Sequence, residues 1–188
     1  CNNAKSTATK ASPVPSTQAD RPNIIYILAD DLGYGDLSCY GQQNFTTPNI
    51  DRLAANGLVL SDFHSPAPVC TPARAGYLTG RLPARAGMPN VVFPTGSAKA
   101  FAFSVLGNPE GNVRIPAEEI TLADVLGAAG YATGMVGKWH LGDRSPSLPN
   151  DMGFDSYFGA LYSNDMEPFA LYRDRDVAIE APVDQRYL

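Results

Sequence analysis

Cysteine is scarce in this chain: Cys1, Cys39 and Cys70 are the three among 188 residues. The two internal ones could form at most one bridge, so no disulfide framework is being built and Cys70 calls for another explanation. Histidine occurs twice, at His64 and His140. No run of about eighteen apolar residues exists, so the sequence holds no transmembrane helix. Nor does a Lys/Arg-rich stripe stand out, and the formal net charge is −5. That argues against nucleic acid as a partner, because no basic stripe would neutralise its phosphates. Small anionic substrates stay open, since an acidic surface can surround a locally basic pocket.

What is present suits one compact core of ordinary size, with 44% of residues hydrophobic. The 17 glycines and 16 prolines are spread without a period. They fit a loop-rich enzyme better than a coiled coil or helical bundle. Residues 1–20, rich in Asn, Lys, Ser, Thr, Ala and Pro, have too little apolar surface to fold and read as a flexible polar leader. A chain that starts at Cys1 and continues as such a tether resembles a mature bacterial lipoprotein, with the lipid on that Cys. The expected location is then exported, periplasmic or at the cell surface.

Asn23–Ala29 is a continuous apolar run, predicted as a strand buried on both faces. Asp30 and Asp31 follow at its C-terminal end. Thr47 should cap a helix that begins at Pro48 and ends at Gly57, with Ile50, Leu53 and Ala54 on one face. Leu58–Phe63 is a second predicted strand, and Thr71–Leu78 a second helix closed by Gly80. The stretch from Pro83 to Arg114 reads as an irregular surface excursion. Ile120–Ala129 should form a third helix, with Leu122, Val125 and Leu126 inward and Gly130 past its end. Tyr131–Gly137 gives another strand, leading into Lys138-Trp139-His140, and beyond Asp143 regularity fades. Strands and helices in alternation predict a layered α/β fold with a mainly parallel sheet. In such sheets sites form beyond the strands' carboxyl ends, where Asp30-Asp31 and Lys138/His140 both fall.

The segment Cys70-Thr71-Pro72-Ala73-Arg74 places a thiol where a helix begins, with Pro72 in the first turn, where its missing N–H does no harm. A helix N-terminus offers free N–H groups and partial positive charge to an anion. Arg74, one turn in, can aim a guanidinium back toward position 70. Physics alone leaves two readings: a nucleophile beside an anion site, or a buried structural Cys with a solvated Arg.

Cys70-Thr-Pro-Ala-Arg followed by Ala75-Gly-Tyr-Leu-Thr-Gly-Arg81 resembles the sulfatase signature. Further segments resemble the same family in the same order. They are Pro22-Asn-Ile-Ile with Asp30-Asp-Leu-Gly-Tyr-Gly-Asp36, then Thr47-Pro-Asn-Ile-Asp-Arg-Leu-Ala54, then Gly137-Lys-Trp-His-Leu-Gly142. Gly153-Phe-Asp with Tyr162-Ser-Asn-Asp-Met166 looks like the arylsulfatase A-type branch. The likeness covers roughly Arg21 to Met166.

This resemblance implies the layered α/β/α fold of the alkaline phosphatase superfamily, with residues 21–188 as the N-terminal part of the catalytic domain. It implies hydrolysis of sulfate esters, on sulfated glycans or aryl sulfates, by a formylglycine made from Cys70. The partners implied are a formylglycine-generating or anaerobic sulfatase-maturing enzyme and a sulfated substrate. Hydrated, the aldehyde has two hydroxyls: one attacks sulfur, and the second expels sulfate as the carbonyl reforms. Asp30 and Asp31, with the modified Cys70, are the implied ligands of Ca²⁺, which takes six to eight oxygens. Lys138 would bind sulfate and diol as a point charge, and His140 would take the diol's proton. Residues two apart on a strand face one side, so both should reach the pocket, while Trp139 points into the core.

His64 reads as a loop residue and Cys39 as a small buried filler. Asn164 and Asp165 are candidates for the substrate side. The family's remaining Asp-Asn metal pair, second His and further Lys have no counterpart here, so the chain reads as a fragment with an incomplete sheet, inactive alone and binding calcium poorly. Two other functions stay open: a formylglycine-dependent phosphomonoester or phosphonate hydrolase, and a non-catalytic glycan-binding lipoprotein.

Overall fold

The computed structural model describes residues 21–106, 113–181 and 183; the predicted leader and Cys1 lie outside them. Contacts divide the chain into two units, Cys1–Asn56 and Gly57–Leu188.

In the first unit the apolar run at 23–29 forms no strand. Ile25 and Ile27 are 85% and 82% exposed, where burial on both faces was predicted. A strand needs a neighbour's N–H and C=O groups, and among the described residues the sheet does not include this segment. Beyond it, two short 3-10 turns, Tyr34–Asp36 and Ser38–Tyr40, precede helix α1 (Pro48–Asn56). Thr47 stands at the N-cap of α1, its carbonyl accepting the Asp51 N–H at 2.9 Å, while its hydroxyl donates to the Asp51 carboxylate (3.0 Å) and accepts from the Ser38 N–H (3.0 Å). Asp51 also accepts from the Cys39 N–H at 3.0 Å. Local polar bonds of this kind hold the unit, and none of its described residues is buried.

The second unit begins with the other predicted strand, Leu58–Phe63, which forms no strand either and is exposed. Helix α2 (Cys70–Thr79) follows and ends as foreseen, at Gly80 with φ 65, whose N–H donates to the Gly76 carbonyl at 2.9 Å. The region from Pro83 to Arg114 is more than a surface excursion. It carries helix α3 (Ala98–Leu106) and sends Ala86, Met88 and Val92 into the core. Helix α4 (Leu122–Ala128) starts later than predicted, because Thr121 and Asp124 form a capping box at its N-terminus. Its buried contact is Ala123, whereas Leu122 and Val125 are exposed.

One mixed sheet of four strands has the order β1 (Gly134–Val136), β2 (Ser156–Gly159), β3 (Leu171–Arg173), β4 (Asp176–Ile179). The parallel pairing joins β1 to β2, with Gly134 opposite Ser156; β3 and β4 add antiparallel. Helices with this sheet make an α/β fold. Pairing continues past β1, with the N–H groups of Gly137, Trp139 and His140 donating to the carbonyls of Phe158, Ala160 and Leu161 at 2.9–3.0 Å. The approach is close: a Cβ added at Gly159 would lie 1.9 Å from the Gly137 oxygen. Trp139, fully buried as predicted, centres a core with Met88, Ile115, Leu141 and Met152, and its Nε1–H donates to the Ser147 carbonyl at 2.9 Å. No helix among the described residues is long and apolar enough to cross a membrane.

Candidate active site

Cys70 is the first residue of α2, half-buried and outside any disulfide. Val69 holds the extended N-cap conformation without a capping side chain. The first turn therefore presents backbone N–H groups and the positive end of the helix dipole beside the thiol. Burial of Thr71, Pro72, Arg74 and Ala75 fixes the turn in place. At Gly76 a Cβ would come within 2.6 Å of the Pro66 ring, so the helix can lie against the loop that leads into it.

Arg74 is buried, and its Nη1 donates to the Lys138 carbonyl at 2.5 Å. The motif on α2 and the Gly137–Gly142 segment are thus joined directly. Beneath them the Tyr157 hydroxyl donates to the Gly137 carbonyl at 3.0 Å. Burial pushes the Tyr157 phenol far up, against the pull of the Arg74 guanidinium, so it serves as a neutral donor.

Lys138 is half-buried, and its Nζ donates to the Ser163 hydroxyl at 3.2 Å. Asp165 is exposed. A hydrogen bond from Ser163 chiefly holds its carboxyl below the ordinary value, and the charges of Lys99 and Lys138 act the same way. Lys138, Ser163 and Asp165 therefore form one polar group. Ser163 was missed by sequence reasoning, although it lies in the Tyr162–Met166 stretch from which Asn164 and Asp165 were singled out.

His140 is fully buried. Its Nε2 lies 3.0 Å from the Val92 carbonyl, and its ring meets Tyr162 edge-on at 5.5 Å. The simple alternation predicted for Lys138 and His140 does not hold. β1 ends at Val136, and His140 takes φ 61, which breaks the strand geometry that would put both on one side. Lys138 engages Ser163, and His140 engages Val92.

Asp30 and Asp31 belong to the first unit, at the end of its exposed apolar run, with Asp31 at φ 58. Cys70, the third implied calcium ligand, belongs to the second. Hard carboxylate oxygens suit Ca²⁺ in kind. In number they fall short, because no group of three His, Cys, Asp or Glu able to hold a metal occurs among the described residues. His64 pairs with Asp62 at 2.8 Å, both highly exposed, in keeping with a loop residue. Cys39 is half-buried rather than enclosed.

Taken together, a helix N-terminus carrying a thiol, a guanidinium one turn in and an ammonium on the adjoining segment suit a tetrahedral oxyanion. The Sulfatase family model matches residues 22–178. The chain is 49% identical over 150 residues to arylsulfatase A of Homo sapiens, covering 78% of this chain and 27% of the relative. A solved structure from a glycosaminoglycan-metabolism locus of Bacteroides thetaiotaomicron superposes with a TM-score of 0.68 at 38% identity, covering 83% of this chain and 32% of that one. BT4656, solved in complex with its substrate D-glucosamine-2-N,6-O-disulfate, gives 0.64 at 27% identity, covering 86% and 28%. The chain spans about a quarter of the length of the curated relatives it matches.

Proposed function

The chain belongs to the sulfatase family, and on that premise we propose that it supplies the nucleophile and oxyanion-binding half of a sulfate-ester hydrolase. The observation that carries this reading is the joint between its two signature segments, where the buried Arg74 guanidinium holds the Lys138 carbonyl. That bond sets the ammonium-bearing segment against the helix turn that begins at Cys70.

Converted to formylglycine and hydrated, position 70 would supply one hydroxyl to attack sulfur and a second to expel sulfate. Around it, the N–H groups of the first turn of α2 and the Arg74 side chain favour negative charge. Lys138, steadied by Ser163, binds a sulfate oxygen as a compact cation. His140 accepts the proton that a hydroxyl at position 70 must lose. Asp30 and Asp31 would contribute carboxylates to a Ca²⁺ site, which requires further oxygen ligands.

Sulfated glycans or aryl sulfates are the proposed substrates. The first class is supported by the disulfated glucosamine bound to BT4656, the second by the likeness to an arylsulfatase. A maturing enzyme that oxidises Cys70 is the proposed partner. Export to the periplasm or cell surface is the proposed location, and fractionation of expressing cells would test it.

Mass spectrometry of the tryptic peptide Leu53–Arg74, after co-expression with a sulfatase-maturing enzyme, tests the central claim. Conversion of Cys70 lowers the peptide mass by about 18 daltons and abolishes thiol alkylation. If Cys70 stays alkylatable while a control sulfatase is converted, the hydrolase reading falls. Rates on aryl sulfate and aryl phosphate would then separate sulfatase from phosphatase preference in the matured protein.

A further inference from the structure

A short strap, Val92–Thr95, crosses behind the candidate site, and side chains from both signature segments fasten it. Thr71, immediately after Cys70, is fully buried. Its hydroxyl donates to the His140 carbonyl at 3.1 Å and accepts from the Val92 N–H at 3.3 Å. The Val92 carbonyl in turn lies 3.0 Å from His140 Nε2. Three residues on, Thr95 donates its N–H and its hydroxyl to the two carboxylate oxygens of Asp143, at 2.7 and 2.6 Å. The strap is therefore held by Thr71 at one end and Asp143 at the other, and it presents one carbonyl to the imidazole between them.

A carbonyl oxygen only accepts, so the ring nitrogen facing it must carry the hydrogen. We infer that the strap fixes His140 as its Nε2–H tautomer, so that Nδ1 is the nitrogen that takes the proton in the reaction, with Thr71 and Asp143 as positioning residues. The catalytic half of this inference rests on the hydrolase reading above; the tautomer half rests on the hydrogen bonds alone. Thr71 is suited to its part because one hydroxyl meets both a donor and an acceptor. No apolar residue of its shape does that. The neighbouring Tyr162 ring packs edge-on and limits rotation of the imidazole.

The test uses the protein labelled with ¹⁵N at histidine, with His64→Gln removing the other ring of this chain so that the His140 signal is identified. The wild type should show a hydrogen-bearing Nε2 and an unprotonated Nδ1. Thr71→Val should give a mixture of tautomers and, with turnover read on the longer protein that supplies the remaining catalytic residues, lower kcat on an aryl sulfate about ten- to hundredfold, with KM little changed. Thr71→Ser, which keeps the hydroxyl, should restore both readouts. Asp143→Ala loosens the strap from its outer end and should move the tautomer ratio the same way, which covers the case in which Thr71→Val fails to fold. An Nδ1–H tautomer in the wild type, or a Thr71→Val protein that loses turnover with its ring unchanged, would overturn the inference. The expected ring signature in this chain, with no hydrolysis by the longer protein that supplies the remaining catalytic residues, would count against the hydrolase reading and leave the tautomer assignment standing.

Discussion

The two units of this chain hold their signature residues by different means. The first unit, which carries Asp30 and Asp31, is tied by short polar bonds such as Thr47 with Ser38 and Asp51, and none of its described residues is buried. Around Lys138 and His140 the second unit combines a continued strand pairing, a buried Trp139 and an arginine pinned to a backbone carbonyl. Packing preorganises the second set, while the first stands among exposed residues. A shared family signature can therefore run through segments with very different mechanical support.

The strongest blow to that contrast falls on Trp139. Trp139→Ala empties the centre of the core and strands the Ser147 carbonyl, and it should cost about 3–5 kcal/mol in chemical denaturation. A loss under about 1 kcal/mol would place the second unit's stability elsewhere. A smaller effect concerns acid. At Asp151 burial works to raise the carboxyl, but hydrogen bonds from Arg175 and the Leu148 N–H outweigh it and hold the group below its ordinary value of 3.8. A carboxyl depressed on folding adds stability that is present above the unfolded value and is lost as pH falls through the folded one. Arg175→Gln should bring acid unfolding to a higher pH, through a neutral-pH loss of about 0.2–1 kcal/mol, since Arg175 is half exposed. Unchanged acid titration would dismiss the pair. Least of all should follow from Ile25→Ser, within about 0.5 kcal/mol by the same denaturation, because the side chain is already in solvent. A larger loss would show that the first unit buries what now stands exposed.

Legibility in the sequence followed the range of the interaction. Helix α2 could be read because Pro72 and Gly80 act on their own turns. The start of α4 was nearly right, but its apolar stripe misled, since Ala123 rather than Leu122 or Val125 meets the core. Asn23–Ala29 and Leu58–Phe63 have strand composition but lie outside the sheet, and pairing is a property of two segments that no single window contains. α3 hid in a Gly/Pro-rich region, although Ala98–Leu106 itself holds neither residue. The motif residues Cys70, Arg74, Lys138 and His140 were named from the family likeness. What it could not supply was their partners: the Val92 carbonyl, Ser163 and the turn at His140 are tertiary facts.

Gly159 carries a constraint of another kind. No positive φ obliges it to be glycine; the Gly137 oxygen occupies the space where any other residue would place its first carbon. The restriction is one of volume rather than torsion, so flexible redesign of the loops on either side would not lift it. In a saturation library position 159 should tolerate glycine alone, while its exposed neighbour Ser156 accepts many replacements. Evolution of this segment would then be free to retune what surrounds Lys138, but not to move the strand that lies beside it.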